Sequence, residues 1–332
     1  MPLTQQAVFK PFRGAANLVG SPAVILLYHR VLDLPSDPQQ LAVQPDYFHD
    51  HVALLKKHYH PISAEEFSDH LQRKKKFRKG TVLITFDDGY ADNFQNAVPI
   101  LESLEAHALF FITTSFLNTR RELWWDDLER ILLGTKIKPH ALALHIESEK
   151  FRYDTSQEKT LWEIYYDLQE RLRLSHPDII ASVVKQLQIW AALPEEGRDR
   201  NRMMRFDELK QMANSPVVAI GAHTHRHAAL GVLGYEDQKQ EILQSQQILE
   251  SLLDKKIVYF SYPYGARKML GNRRYYNKDS LRLVKELGFE MACANYYGQV
   301  HRWSNPYVLP RILVRNWKPE EFRDKIRHFF RS

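Results

Sequence analysis

Short apolar runs alternate with amphipathic helical patterns along most of this chain, and this alternation limits the fold more than any other feature. Each run is four or five residues long, which is typical of a buried strand. Strands that alternate with helices predict an α/β fold with a mainly parallel sheet. Periodicity alone does not separate an open sheet from a barrel. The predicted strands are residues 24–28, 82–86, 109–113, 217–220, 257–260 and 291–294.

Helical spacing is clearest in residues 93–107, where apolar residues stand at positions 94, 97, 98, 101 and 104. Asp46 is the predicted N-cap of an earlier helix. Acidic residues begin another helical stretch and two lysines follow it, in agreement with the helix dipole. Gly288 is a predicted C-terminal stop. The predicted helices are residues 47–58, 93–107, 236–253 and 279–287.

Residues 120–205 interrupt the alternation of strands and helices. This stretch is rich in Trp, Leu, Lys and Glu and reads as mostly helical. We therefore interpret it as an insertion that caps one end of the sheet. The expected organisation is an N-terminal extension (1–21), one domain (22–316) that contains the insertion, and a C-terminal helix (317–332).

No run approaches the roughly 20 consecutive apolar residues that a membrane-spanning helix needs. The first residues also lack the apolar run of a signal peptide. These observations favour a soluble cytoplasmic protein without a transmembrane segment. Phe9, Lys10, Phe12 and Arg13 combine basic and aromatic character, which allows a peripheral contact with a membrane.

The net charge is +6 over 332 residues, a modest excess that favours anionic substrates or surfaces. The basic run at residues 73–79 reads as a solvated loop, because no interleaved aromatic residues or known nucleic-acid motif accompany it. We therefore expect no nucleic-acid partner. The single cysteine, Cys293, lies in an apolar run, so a core position in a reducing compartment is expected.

Two adjacent carboxylates, Asp87 and Asp88, follow one predicted strand and precede Gly89. Ligands of α/β proteins gather at the carboxyl ends of strands, where a turn can bring both carboxylates to one site. The alternative interpretation is an Asp-Gly turn with solvated acids.

Three histidines, His223, His225 and His227, occur within five residues after another predicted strand. Histidines at i and i+4 face one way on a helical turn, and alternating histidines share one face of a strand. Either arrangement suits a divalent metal ion, with His223 and His227 as ligands and His225 as the spare residue. A structural role is the alternative.

Residues 260–265 (FSYPYG) end a third predicted strand. A Pro-Gly turn can direct a backbone N–H outward, as an oxyanion requires. Aromatic-proline turns are common, so this motif indicates little by itself.

The order TFDDGY, HTxxH and PYG resembles the polysaccharide deacetylases, also called the NodB-homology or carbohydrate esterase family 4 domain. The resemblance spans residues 22–316 and implies a distorted (β/α)7-type barrel. It also implies that Asp88, His223 and His227 bind one divalent metal ion, usually zinc. Asp87 would be the catalytic base, and the backbone N–H of Tyr264 would hold the oxyanion.

The chain departs from the family pattern in two places. Ser261 stands where the family has an arginine that orients the base, and Arg311 is expected to supply that guanidinium from another strand. The family's Leu-x-His motif, which carries the general acid, occurs near the start at residues 27–29. This order resembles the circularly permuted branch that includes deacetylases of poly-N-acetylglucosamine. The resemblance implies His29 as the acid. A buried structural histidine is the alternative interpretation of His29, and His301 is the alternative acid.

These roles describe hydrolysis of an acetamide on an N-acetylated saccharide to acetate and free amine. Trp125 and Asp126 are expected to contact the substrate, since sugars stack on aromatic rings and hydrogen-bond to carboxylates; a helix N-terminus with buried tryptophans is the alternative. Tyr262 and Pro263 are assigned to the same substrate site. Hydrolysis of another C–N or O-acyl bond, or non-catalytic glycan binding on the same fold, remain as alternative functions.

Overall fold

A computed structural model describes residues 21–134, 139–266 and 274–331. The residues expected to contact a membrane, at positions 9–13, lie outside these ranges. Twelve strands occur in the described ranges. They are β1 (Val24–Tyr28), β2 (Arg30–Val31), β3 (Ala42–Val43), β4 (His60–Pro61), β5 (Thr81–Phe86), β6 (Ala108–Ile112), β7 (Ala141–Ile146), β8 (Glu149–Asp154), β9 (Val218–Ala222), β10 (Tyr259–Ser261), β11 (Met291–Cys293) and β12 (Ile312–Leu313).

Ten α-helices pack around or beside these strands in the described part of the chain. They are α1 (Pro45–His58), α2 (Ala64–Gln72), α3 (Val98–Ser103), α4 (Trp124–Leu128), α5 (Glu158–Leu172), α6 (Pro177–Trp190), α7 (Phe206–Ala213), α8 (Tyr235–Leu253), α9 (Lys278–Glu286) and α10 (Pro319–Arg331). None of them combines the length and the apolar character that crossing a membrane would require.

The main sheet contains eight parallel strands in the order β11–β10–β9–β6–β5–β1–β12, with β4 also beside β5. Its two edges approach each other, because the N–H of Leu309 donates to the carbonyl of Ala292 at 2.9 Å. The sheet therefore curls into the expected (β/α) barrel. The pairing of β1 with β12 confirms that the first and last strands are neighbours.

Alternate residues of the parallel strands point to two different apolar clusters. Leu26 and Ile84 belong to the larger one, which includes residues of α1, α8, α9 and α10 and lies outside the barrel. Ile25 and Leu83 belong to the inner one, which also contains the buried Cys293. Burial on both faces explains why these strands read as continuous apolar runs.

The insertion has an apolar core of its own, which includes Trp124, Trp125 and residues of α5 and α6. The insertion is mostly helical, as expected, and it also contains an antiparallel hairpin of β7 and β8. Residues of β7 alternate strictly between exposed and buried. This period of two is the sequence signal of a half-buried strand, and the helical interpretation overlooked it.

Two predicted helix boundaries also differ from the structure. The first helix begins at Pro45 after Gln44, so Asp46 lies in its first turn and is not the N-cap. The helix predicted over residues 93–107 is a π-helical segment, Asn93–Ala97, followed by the short α3. By contrast, α9 ends before Gly288, whose φ of 85° supports the predicted stop.

Candidate active site

A cavity of about 240 Å³ opens at the carboxyl ends of the barrel strands, between the barrel and the insertion. We call its two sides the metal face and the insertion wall. The metal face comprises Asp87, Asp88, His223, His227 and Arg311, the last of which lies buried directly behind the cavity. The insertion wall comprises Trp124, Trp125, Gln169 and Arg173.

Asp88, His223 and His227 converge at one point of the metal face. The Nε2 atoms of His223 and His227 lie 3.6 Å and 3.2 Å from Oδ1 of Asp88. Neither the predicted helical turn nor a shared strand face produces this arrangement. The chain leaves β9 and turns back through residues with positive φ, Thr224 at 61° and His227 at 57°. Asp88 has a φ of 78°, so left-handed backbone shapes both halves of the cluster.

These three side chains fit a divalent metal ion. One potential ligand atom from each lies within 4.8 Å of the others, and all three residues are buried. Both carboxylate oxygens of Asp88 are buried and accept no hydrogen bond from the described residues. A buried carboxylate without donors is costly unless a cation neutralises it. One carboxylate and two imidazoles are the donor set of an open zinc site.

The environment of His223 prepares it as a ligand. Its Nδ1 lies 2.8 Å from the backbone carbonyl of Ser261, which can only accept, so Nδ1 carries the proton and Nε2 presents its lone pair toward Asp88. Burial lowers the pKa of His223 to about 4, although Asp87 and Asp88 act in the opposite direction. The imidazole is therefore neutral at neutral pH, as metal binding requires.

Asp87 is held by Arg311 through two parallel hydrogen bonds. Nη1 and Nη2 of Arg311 donate to the two carboxylate oxygens at 2.7 Å and 2.6 Å, and Nη2 also donates to Oγ of Ser261 at 2.8 Å. Burial raises the pKa of Asp87, but the charge and the hydrogen bonds of Arg311 outweigh it and hold this pKa well below its ordinary value. Asp87 therefore stays ionised and fixed in orientation.

The guanidinium that holds Asp87 belongs to Arg311, which lies two strands away from Asp87 in the sheet. The family pattern has this arginine at the position of Ser261. Arg311 precedes β12, which pairs with β1, and β1 in turn pairs with β5. Ser261 hydrogen-bonds to this guanidinium, so the residue at the motif position and its distant replacement meet in space.

His29 lies at the same end of the barrel as the carboxylate pair. Tyr28 and Phe86 are partners in the register of β1 and β5, so His29 and Asp87 leave adjacent strands at the same level. His29 lines the cavity, and its Nδ1 is buried without a hydrogen-bond partner in the described ranges. Burial lowers the pKa of His29, whereas the charges of Asp88 and Asp87 raise it.

His301 lies at the other end of the barrel. The preceding residue, Val300, bridges Ala23, which comes just before β1 begins. The ring of His301 stacks on that of Trp303 at a centroid distance of 4.9 Å, and His301 lines a separate cavity. The alternative assignment of His301 as the acid is therefore wrong, because the length of β1 separates it from Asp87.

The turn after β10 brings Tyr264 against the metal face. Tyr264 has a φ of 60°, and its ring contacts the ring of His227 edge-on at 4.7 Å. Tyr262 and Pro263 do not line the cavity, so their assignment to the substrate site is wrong. The Tyr262 side chain belongs to the outer apolar cluster and donates its hydroxyl to the carbonyl of Tyr307 at 2.9 Å.

The insertion wall is tied to the metal face by two tryptophans. Nε1 of Trp124 donates to the hydroxyl of Tyr264 at 2.9 Å, and the ring of Trp125 lies 4.7 Å from that of His227. Asp126 does not line this cavity but an adjacent one, where it accepts a 2.7 Å hydrogen bond from the hydroxyl of Tyr90. Its expected substrate contact is wrong, since it points to the other side of Trp125.

Several cavity residues have no signal in the sequence. Helix α5 ends at the cavity and contributes residues of the insertion wall, and residues of the connecting loops and of β12 complete the lining. These residues belong to no motif, and none of them comes immediately after a strand as Asp87 and His223 do. The residues that sequence reasoning missed are Gln39, Leu41, Trp124, Gln169, Arg173, Ala266, Tyr275, Asn295, Leu313 and Arg315.

Two sequence comparisons indicate the family. The family model described as polysaccharide deacetylase matches residues 74–186 and 197–292, more than half of the chain. YxkH of Bacillus subtilis (strain 168), whose name places it among polysaccharide deacetylases, is 21% identical over 291 residues. The match covers 87% of this chain and 70% of that protein.

Solved structures show the same fold. Deacetylase PplD of Streptococcus pyogenes, in complex with acetate, matches with a TM-score of 0.58 at 18% identity, over 92% of this chain and 99% of that one. IcaB from Ammonifex degensii matches with a TM-score of 0.60 at 17% identity, over 94% of this chain and 98% of that one.

Proposed function

The chain belongs to the polysaccharide deacetylase family, and from that premise we propose that it is a metal-dependent N-deacetylase. Its substrate would be an N-acetylated saccharide, and its products acetate and a free amine. One observation carries the proposal: the buried Asp88 oxygens, which accept no hydrogen bond, lie beside His223 and His227, and Asp87 is fixed next to them.

Asp88, His223 and His227 would hold the metal ion, and zinc suits their donor set. A divalent cation bound there polarises the acetyl carbonyl and makes a water molecule more acidic. Trp124 and Tyr264 line the cavity beside these three residues, so a substrate in the cavity would lie next to the ion that they would hold.

Asp87 would accept the proton of the attacking water. The paired hydrogen bonds from Arg311 keep its carboxylate ionised and prevent it from rotating. A base that is already oriented loses little conformational entropy when the reaction begins. Arg311 is thus a positioning residue, buried behind Asp87 and not exposed to the cavity.

His29 would donate a proton to the departing amine, and the backbone N–H of Tyr264 would stabilise the oxyanion. The amine requires this proton because an amide anion is a very poor leaving group. A pKa lowered by burial makes protonated His29 a strong donor, although a smaller fraction of it is protonated at neutral pH. Tyr264 lies in the turn after β10 and its ring contacts His227, which supports this assignment.

Metal analysis combined with an acetate-release assay tests the proposal. The wild-type protein should contain about one divalent ion per chain and release acetate from N-acetylated oligosaccharides. His223→Ala should lose both properties. His225→Ala is the matched control, because His225 contacts Thr114 at 2.9 Å and takes no part in the cluster. Equal metal content in all three proteins would refute the ligand assignment. Saccharide binding by the metal-loaded wild type without acetate release would instead favour a non-catalytic module.

A further inference from the structure

Two arginines outside the metal face line the same cavity. Arg173 follows the last turn of α5, and Arg315 follows β12 shortly after Arg311. Both side chains are partly buried. The charge of Arg173 acts on the pKa of Tyr264, whose ring in turn contacts His227. Both arginines therefore line the cavity into which Asp87, Asp88 and the two histidines open.

Neither guanidinium is paired with a carboxylate. Among the described residues, no aspartate or glutamate oxygen lies within 4.0 Å of Arg173 or Arg315, and the remaining residues of the chain include no aspartate or glutamate. Several other buried or partly buried arginines do have such partners. These pairs are Arg30–Asp92, Arg198–Glu122, Arg202–Glu208, Arg226–Glu241 and Arg311–Asp87.

A carboxylate near Arg315 is already used by the backbone. Asp37 accepts hydrogen bonds from the N–H groups of Leu41 and Ala42 at 3.0 Å and 2.9 Å. Burial lowers the pKa of Arg315, and the charge of Asp37 only partly opposes this effect. The guanidinium is thus partly desolvated without a direct counter-ion, an arrangement that a bound anion would relieve.

Gln39 holds both arginines and leaves part of each guanidinium available. Nη2 of Arg173 donates to Oε1 of Gln39 at 2.9 Å, whereas Nη1 of Arg315 donates to the backbone carbonyl of Gln39 at 2.8 Å. Each arginine anchors itself through one terminal nitrogen. Nε and the other terminal nitrogen of each have no acceptor among the described residues. In Arg315 these are Nε and Nη2, the edge that binds an oxyanion through two hydrogen bonds.

We propose that Arg173 and Arg315 bind an anionic group, a phosphate ester or a carboxylate, carried by the N-acetylated saccharide. This inference rests on the proposed function, since it names the substrate class of the same cavity. The metal face would hold the acetamide, and the two arginines would hold the charged group on a neighbouring position of the saccharide. A neutral polysaccharide would leave both guanidiniums without a counter-charge. The cavity would therefore bind an anionic substrate more tightly than its neutral analogue.

Isothermal titration with three N-acetylated sugars tests this inference. N-acetylglucosamine 1-phosphate supplies a phosphate, N-acetylmuramic acid supplies a carboxylate, and N-acetylglucosamine is neutral. The titrations use the metal-loaded Asp87→Asn protein, which keeps the three residues that would hold the ion but lacks the base, so the readout is binding alone. At least one charged sugar should bind roughly tenfold more tightly than the neutral one, the factor that one charge-assisted hydrogen bond between partly exposed groups supplies. The stronger of the two charged sugars identifies the anion.

Substitutions test whether the two arginines cause the preference for charged sugars over the neutral sugar. Arg173→Gln and Arg315→Gln should each reduce it, and the double variant should abolish it. Arg171→Gln is the matched control, because Arg171 lies at the same end of α5 but pairs with Asp167 at 2.9 Å and does not line the cavity. Arg315→Lys should retain part of the preference, since it keeps the charge and loses the fork.

Equal binding of all three sugars, or a preference that survives in the double variant, would overturn the inference. The proposed function is read separately, from acetate release by the metal-loaded wild type. A protein that releases acetate without distinguishing charged from neutral sugars would disprove the anion site alone. One that prefers charged sugars but releases no acetate would disprove the deacetylase activity alone.

Discussion

The metal face and the insertion wall of the cavity are built in different ways. On the metal face, Asp87, Asp88 and His223 directly follow strands of one parallel sheet, whose register brings their ends together. On the insertion wall, Trp124 and Arg173 come from two helices joined through a separate apolar core. The barrel therefore fixes the chemistry, whereas the insertion is free to set what the cavity accepts.

The two sides also differ in how their charges are satisfied. On the metal face, Asp87 is fully paired by Arg311, and Asp88 is left without donors for a cation. On the insertion wall, Arg173 is held only by neutral amide oxygens. We therefore expect substitutions on the metal face to reduce turnover, and those on the wall to change substrate affinity or stability.

The largest expected effect is that of Asp87→Asn. The amide cannot accept a proton from water, so acetate release should fall by about 10²–10⁴-fold while metal binding persists. Loss of the charge also leaves Arg311 unpaired and buried, so the melting temperature should fall. Turnover is therefore measured per folded, metal-loaded molecule. Asp126→Asn makes the same change beside the insertion wall and should leave turnover nearly intact. A small loss of turnover in Asp87→Asn, or a large loss in Asp126→Asn, would contradict the assignment of the chemistry to the metal face.

His29→Ala should lower turnover by roughly 10²-fold, at the lower end of the range for proton-transfer residues. Metal content should not change, because His29 is not among the three clustered residues that could hold the ion. His301→Ala provides the comparison and should leave turnover near the wild-type value, since His301 lines a separate cavity. Steady-state kinetics with metal-loaded protein measures both, and comparable losses would exclude His29 as the specific acid.

Trp124→Phe should produce a smaller change. It keeps an aromatic ring but removes the N–H that donates to the hydroxyl of Tyr264 at 2.9 Å. Loss of one such bond is worth about 0.5–1.5 kcal/mol, so we expect catalytic efficiency to fall only a few-fold. Tyr264→Phe removes the other partner of this bond, and the double variant should be no worse than either single variant. Fully additive losses would show that the bond does not couple the wall to the metal face.

The smallest effect concerns stability and pH. Burial raises the pKa of Asp126 to about 8, although the charge of Arg30 lowers it. An unfolded aspartate has a pKa of about 3.9, so the folded protein binds the extra proton between these values. Stability is therefore highest below the unfolded pKa and decreases as the pH rises toward 8. Urea unfolding at pH 5 and pH 8 should show a smaller decrease for Asp126→Asn than for the wild type. An identical decrease would assign the pH dependence to other groups.

Much of the barrel could be predicted because the apolar runs in the sequence coincide with strands that are buried on both faces. The six predicted strands all overlap observed strands, since residues buried on both faces must be apolar. The hairpin of β7 and β8 was missed although its alternating pattern was legible. Tyr262 was misplaced for a different reason: alternate residues of a strand face opposite sides, and a motif does not state which side meets the cavity.

The sequence by itself determined the alternating strands and helices, the carboxylate pair, the histidine cluster and the order of the motifs. These features are encoded locally, by periodicity and by residues that follow a strand directly. Only the tertiary structure decided that Arg311 reaches Asp87, that His301 lies at the opposite end of β1, and that Arg173 and Arg315 meet at Gln39. Such contacts join residues far apart in the chain, and they depend on strand register and on the packing of the insertion, which no local pattern specifies.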